Sequence, residues 1–307
     1  MSKFVIDAKQ LTMQFGDYKA INALDLQVEQ GTIYGFLGPN GCGKTTAIRM
    51  LTGLLSPTAG SVNVLGFELP AQAEALKLHV GYMTQKFALY DDLTVLENLR
   101  FVARIYGLSR QAMATRVDEL LENYDLRPFA NQLAGTMSGG QKQRLGLAAA
   151  IIHKPKLLFL DEPTSAVDPQ NRRDFWQKLF QLCEQGASIL VSTHYMDEAE
   201  RCHKLAILKQ GVKRADGSPD ELMAQMTAWV YEVEGELLGD IKQCLVVNDI
   251  ILSVAQLGSR LRVLVAKSYS QPEQYLNELL QEFSVKVNAV RPNLEDVFVT
   301  CTSEGLA

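Results

Sequence analysis

Two groups of residues in this chain of 307 have the types and spacing to do chemistry. The first is Gly38-Pro39-Asn40-Gly41-Cys42-Gly43-Lys44-Thr45-Thr46, a glycine, four residues, then Gly-Lys-Thr. Such a loop wraps phosphates. Gly38, Gly41 and Gly43 can take positive φ and let the backbone approach a ligand closely. Successive N–H groups then converge on a β-phosphate at the positive end of the helix that follows. Lys44 can reach the β- and γ-phosphates, and the Thr45 hydroxyl can sit on Mg²⁺. The second group is Asp161-Glu162, which closes the apolar run Leu157-Leu158-Phe159-Leu160. Alone, two adjacent carboxylates are as readily a solvated turn. Beside a phosphate loop, an aspartate at the C-terminal edge of a parallel strand points into the crevice where ligands of such sheets bind. Asp161 can then hold the shell of Mg²⁺ through water, and Glu162 can orient and deprotonate an attacking water. The chain is expected to bind a nucleoside triphosphate.

These residues need particular elements around them. Thr32–Leu37 reads as a short buried strand leading into the loop, and Thr45–Leu55 as the helix after it, with Ile48, Leu51, Leu54 and Leu55 on its apolar face. Residues 4–37 alternate β-like runs with turns near Gly16 and Gly31, which suggests an antiparallel layer. Ser61–Leu65 and His79–Thr84 are further strands, the latter ending at Gln85. From there the texture becomes helical. Thr94 with Glu97 forms a capping box opening a helix that stops at Gly107, and a second helix starts near Ser109. Ser138 with Gln141 is another capping box, placing Gly139 and Gly140 in the first turn of a helix that reaches about Ile152. Leu157–Leu160 is a continuous apolar run of the kind buried on both faces of a parallel sheet, and Ser188–Thr193 reads as another buried strand ending at His194. Phe175–Gln185 reads as helix. A boundary is expected near 226–228. Beyond it the order strand, helix, strand, strand, helix, strand predicts a small α+β domain of ferredoxin-like type over 227–307.

Composition bounds the alternatives. Hydrophobic residues make up 47% and charged residues 21%, with net charge −5. That balance fits an ordinary globular chain and disfavours direct nucleic-acid binding. The five cysteines are scattered without a CxxC pair, so neither a disulfide framework nor zinc is expected. No signal peptide is read in Met1–Asp7, and no apolar run is long enough to span a bilayer.

Ser138-Gly139-Gly140-Gln141, followed by Lys142, Gln143 and Arg144, resembles the signature of ATP-binding cassette (ABC) proteins, and the other family motifs occur around it in the family's order over residues 1 to about 226. Tyr18 matches the aromatic that stacks on adenine, and residues 38–46 match the Walker A loop. Gln85 matches the glutamine that senses Mg²⁺ and the membrane partner, and Leu157–Glu162 match the Walker B strand. Ser165-Ala166-Val167-Asp168 match the loop that crosses to the other subunit, and His194 the switch histidine at the γ-phosphate. Met137 and Val167 stand where leucine is usual, and both remain apolar. The resemblance implies an α/β P-loop NTPase cassette with an antiparallel β layer and a helical subdomain over about 86–153. It implies an ATPase using ATP and Mg²⁺, with Lys44, Gln85, Glu162 and His194 catalytic.

The resemblance also implies partners. Two cassettes would close head to tail, each ATP held between one Walker A loop and the other subunit's signature, the second cassette being another copy or a paralogue. Integral membrane permease subunits would place the chain peripherally on the cytoplasmic face of the inner membrane. Phe87, Leu89 and Tyr90 after Gln85 read either as packing between subdomains or as a groove for a short helix of such a subunit. Pro292–Phe298 resembles a tail in bacterial drug-resistance-type export ATPases, so export of drugs or other hydrophobic compounds is expected. ABC ATPases acting on ribosomes or DNA are the alternative. They usually carry two cassettes with a charged linker, or a long coiled-coil or zinc insertion, and neither is present here. Cys42, beside Lys44 in a helix-leading loop, is expected to have a depressed pKa. A redox role for it and mere steric fit both stay open.

Overall fold

The computed structural model describes residues 3–165 and 167–302. They fall into two compact units, 1–213 and 214–307. In the first, β1 (Phe4–Phe15) and β2 (Tyr18–Glu29) form a long antiparallel pair. β3 (Ile33–Leu37), α1 (Lys44–Leu51), β4 (Ala59–Val64), β5 (Phe67–Leu69), α2 (Ala73–Lys77) and β6 (Val80–Met83) follow. Next come α3 (Val95–Ile105), α4 (Arg110–Asn123), α5 (Gly139–Ala150), β7 (Leu157–Asp161), α6 (Pro169–Glu184), β8 (Ser188–Thr193), α7 (Met196–Ala199) and β9 (Lys204–Lys209).

Two sheets build this unit. One is antiparallel in the order β2-β1-β4-β5, and the other runs β9, β3, β8, β7, β6 with parallel neighbours. Alternation along the parallel strands separates two cores. Tyr34, Phe36, Leu157, Phe159 and Leu190 face the antiparallel sheet and α1. Ile33, Leu158, Leu160, Ile189 and Val191 face the other way, where α3–α6 supply Leu99, Leu121, Leu145 and Trp176. Covered on both faces, these strands have no solvent-facing side, which is why their central residues are apolar in succession, as in Leu157–Leu160 and Ile189–Val191.

The helical arm is punctuated as its sequence predicts. Thr94 and Glu97 make a reciprocal capping box at α3, and Ser138 and Gln141 make another at α5. Fully buried Asn98 ties down the turn before α3, accepting from the Tyr90 N–H and donating to the carbonyls of Tyr90 and Thr94. Other elements differ from expectation. α1 ends at Leu51 because Gly53 turns left-handed (φ 72°) and the Leu54 N–H bonds back to the Arg49 carbonyl, so Leu54 is exposed instead of joining the apolar face. α6 starts at Pro169, well before Phe175, because Asp168 caps it and proline suits the first turn.

The units divide inside β10 (Val212–Gly217), upstream of the boundary expected near 226–228. The second unit includes α8 (Pro219–Gln225), which packs on the terminal helix and was not read from the sequence. Then come β11 (Ala228–Gly235), α9 (Leu238–Val246), β12 (Ile251–Leu257), β13 (Arg260–Ala266), α10 (Pro272–Leu279), β14 (Val285–Ala289) and α11 (Leu294–Thr302). Its sheet is antiparallel throughout, in the order β12-β13-β11-β14. Buried Arg262 on β13 grips Asp296 of α11 through two bonds, of 2.8 and 2.6 Å, and also meets Glu232 of β11. Asp296 simultaneously caps α11 with Asn293.

Candidate functional site

β3 delivers the chain to the phosphate loop at Gly38. Gly41 and Gly43 adopt φ 79° and 108°, as expected. Gly38 does not. It is required for space, since a Cβ there would come within 2.5 Å of the Cys42 Sγ and of the Leu208 carbonyl oxygen. Gly43 caps α1 with no side-chain hydrogen bond, so the helix's first N–H groups face the loop without a competing acceptor. Thr45 and Thr46 sit half-buried in that first turn. The loop is shaped to receive an anion at the positive end of α1.

Five side chains named from the sequence converge beside it. Lys44, 4% exposed, donates from Nζ to the Gly38 carbonyl (2.8 Å) and the Pro39 carbonyl (3.1 Å), and pairs with the Glu162 carboxylate at 3.1 Å. Gln85, just past β6, donates from Nε2 to Glu162 Oε2 at 3.0 Å. His194 Nδ1 lies 3.4 Å from the same oxygen, close enough for an ion pair when protonated but not aligned as a hydrogen bond. Asp161, the last residue of β7, is buried and accepts from Ser192 Oγ at 2.7 Å.

Glu162 takes a left-handed backbone (φ 47°), which costs a non-glycine residue about 1–3 kcal/mol. Its N–H donates to Ser192 Oγ at 2.9 Å, and that bond helps hold the turn aiming its carboxylate at Lys44. Ser192 therefore positions both carboxylates. It was missed in the sequence because a serine inside an apolar strand carries no chemical pattern of its own.

The remaining residues form a second group. Ser138 accepts from the Gln141 N–H and Gln141 Oε1 from the Ser138 N–H, so the start of α5 is held rigidly. Asp168 accepts from the N–H groups of Gln170 and Asn171 and from the Asn171 side-chain amide, bonds that hold its carboxyl below the usual range. Gly140 lies against Asn171, where a Cβ would meet that side chain at 3.0 Å. Signature and Asp168 are thus joined to each other, and neither is a hydrogen-bond partner of Lys44, Asp161 or Glu162. Ala166 of the same loop lies outside the described residues. Tyr18 opens β2 opposite Phe15 and is 59% exposed, free to present its ring.

Cys42 corrects an expectation. Its side chain is buried and its thiol is pushed up, because burial outweighs the neighbouring Lys44. Phe87 and Leu89 both pack against the helical core and line a cavity of ≈ 340 Å³ with Gln85, Tyr106, Gly139 and Lys142, whose ammonium sits 5.0 Å from the Phe87 ring centre. Packing is thus observed for Phe87 and Leu89, while Tyr90, named with them from the sequence, is exposed and lies edge-on to Phe101.

A parallel sheet whose strand ends carry a phosphate loop, an aspartate and a glutamate defines a P-loop nucleotide hydrolase. The family model for ABC transporter matches residues 21–165. The Nod factor export ATP-binding protein I of Cupriavidus pinatubonensis is 38% identical over 300 residues, 97% of this chain and 90% of that protein. The "Probable multidrug ABC transporter ATP-binding protein YbhF" of Escherichia coli (strain K12) is 45% identical over 221 residues, 72% of this chain, and the match spans only 38% of that protein. A dimeric post-hydrolysis state of the ATP-binding cassette MJ0796, bound to ADP and Pi, superposes with TM-score 0.64 at 26% identity, covering 69% of this chain and 98% of that one. An ATP-binding subunit of an ABC transporter gives 0.66 at 29%, covering 72% and 92%. The chain belongs to the family of ABC transporter ATP-binding proteins, and it is an ATPase. No helix among the described residues is long and apolar enough to cross a membrane.

Proposed function

We propose that this ATPase powers an exporter of drugs or other hydrophobic compounds, working as a pair of cassettes beneath separate integral membrane permease subunits. The observation carrying the proposal is the convergence of Lys44, Gln85 and His194 on one buried carboxylate, Glu162, at the edge of the phosphate loop. The export-named relatives support the direction of transport. ATP entering the loop offers phosphate oxygens to Lys44, which frees Glu162 to orient and deprotonate the attacking water. His194 and Gln85 then lie beside the γ-phosphate. Tyr18 stacks on adenine, and Ser138–Gln141 with Asp168 serve the nucleotide of the partner cassette.

The oxygen donors Thr45, Gln85 and Asp161 suit Mg²⁺, a hard ion that keeps several waters and shares phosphate ligands. No group of three or more His, Cys, Asp or Glu side chains among the described residues forms a metal cage by itself, which fits an ion arriving with the nucleotide. When bound, it neutralises phosphate charge. The Phe87–Leu89 cavity, beside Gln85, is where a cytoplasmic helix of the permease would dock. Residues 227–307 are read as a ferredoxin-like accessory domain, a reading supported by the strand order β12-β13-β11-β14 and by the two helices between its strands.

The test is co-purification of the tagged chain from membranes in mild detergent. The expected result is a multi-span membrane protein at fixed stoichiometry, lost on substituting Phe87 and Leu89 with aspartate. Nuclease-sensitive association with ribosomes or DNA, without a membrane partner, would overturn the transport reading.

A further inference from the structure

Glu198, on the short α7 after His194, is 1% exposed and has no place in the roles above. Its carboxylate accepts from the hydroxyl of Thr164 and, at 2.6 Å, from that of Thr193. Thr164 lies two residues past Glu162, and Thr193 immediately precedes His194. The Arg172 guanidinium of α6 approaches the same carboxylate at 3.4 Å and lies over the Tyr195 ring, 4.1 Å from its centre. Tyr195 in turn packs on the His194 ring, with centroids 4.1 Å apart. Arg172 sits one turn into the helix that Asp168 caps. One buried carboxylate thereby joins the segment after Glu162, the strand end bearing His194 and the helix bearing Asp168.

A buried carboxylate is retained at a cost unless it is bonded or paired, and here two hydroxyls bond it while the guanidinium supplies an opposite charge at 3.4 Å without an aligned hydrogen bond. The side-chain bonds of this group run between Glu198, Thr164, Thr193 and Arg172, while the Thr193 carbonyl accepts from the Gly38 N–H of the phosphate loop at 3.4 Å. Their common effect is to fix the distance between the water-activating carboxylate and the histidine. We infer that Glu198 is a positioning residue for hydrolysis, holding Glu162, His194 and the Asp168 helix in one register. The inference rests on the roles proposed for Glu162 and His194. Misplacing a reacting group by about 1 Å costs roughly a hundredfold in rate while leaving ground-state binding largely intact. The loss is therefore expected in kcat and not in nucleotide affinity.

Full-length Glu198→Ala and Glu198→Gln are compared with wild type for kcat and KM of ATP hydrolysis, with Kd for a fluorescent ATP analogue and thermal midpoint measured alongside. Glu198→Ala is expected to lose about a hundredfold in kcat, with KM within about threefold of wild type. Glu198→Gln, which can accept from one hydroxyl and donate to the other, is expected to recover most of that loss. Wild-type kcat in Glu198→Ala overturns the inference. So does an equal loss in both variants accompanied by a matching rise in KM, the mark of general loosening. Should Glu198→Ala not fold, Thr164→Val and Thr193→Val each delete one tie at nearly constant volume. Each is expected to lower kcat about tenfold at unchanged KM, and full activity in both also overturns it. Glu162→Gln and His194→Ala run in parallel: if they too retain turnover, the underlying roles fail, and if only the Glu198 and threonine variants retain it, this inference alone fails.

Discussion

Replacing Lys44 by methionine keeps the aliphatic stem and removes the ammonium that holds Glu162. The pair is 4% and 7% exposed by side chain and 3.1 Å apart, so solvent screens it little. Removing one partner of a buried ion pair costs about 3–5 kcal/mol, most of it the penalty of the charge left behind. Gln85 still donates to Glu162 but carries no charge to replace the ammonium. At roughly 2–4 °C per kcal/mol for a unit of this size, the cassette's thermal midpoint should fall by about 6–20 °C. Glu162→Gln alone strands the ammonium on the Gly38 and Pro39 carbonyls and is also destabilising. The double variant strands neither charge and should be more stable than the sum of the singles by about 2–3 kcal/mol. Urea unfolding of the four proteins, without nucleotide, measures that coupling. Additive losses, with coupling near zero, would refute the claim that Lys44 and Glu162 restrain each other before ATP arrives.

Cys42 should be labelled by maleimide at pH 7 at least about tenfold more slowly than in urea, as its raised thiol implies, and the labelled protein should not hydrolyse ATP; mass spectrometry against activity checks both. His153 stacks on Tyr106 and bonds the Val80 carbonyl, and burial pushes its imidazole down to about 4 from an ordinary 6.5. The unfolded chain then binds the extra proton between those values, so stability should fall as pH drops from 6.5 towards 4, and His153→Phe should flatten that slope in midpoints measured across the window. Asp296→Ala leaves Arg262 buried with only Glu232 as counter-charge and should destabilise the C-terminal unit by about 3 kcal/mol, seen as earlier proteolysis within residues 214–302.

Much of this was legible in the sequence because local rules and global fold agree. Leu157–Leu160 reads as a strand covered on both faces, and the Thr94/Glu97 and Ser138/Gln141 spacings fix helix starts by hydrogen bonding within three residues. Gly41 and Gly43 announce their conformation by lacking a side chain. What stayed hidden depends on distant neighbours. The burial of Cys42 in the core cluster that also holds Ile21, Ala47 and Leu208 is a tertiary fact, and it reverses the electrostatic expectation drawn from adjacent Lys44. Ser192, Thr164, Arg172 and Glu198 are ordinary polar residues until the sheet brings their carriers together. The unit boundary moved because α8 finds its packing partner in α11, far along the chain.

If ATP is gripped by two cassettes before it is cut, pairing must depend on the intact triphosphate. Sedimentation velocity of Glu162→Gln tests it most directly. The expected result is a monomer without nucleotide or with ADP and a stable dimer with ATP, while wild-type turnover per molecule rises with protein concentration. A Glu162→Gln protein that binds ATP yet stays monomeric at every concentration, beside a wild type whose turnover per molecule is constant, would contradict it.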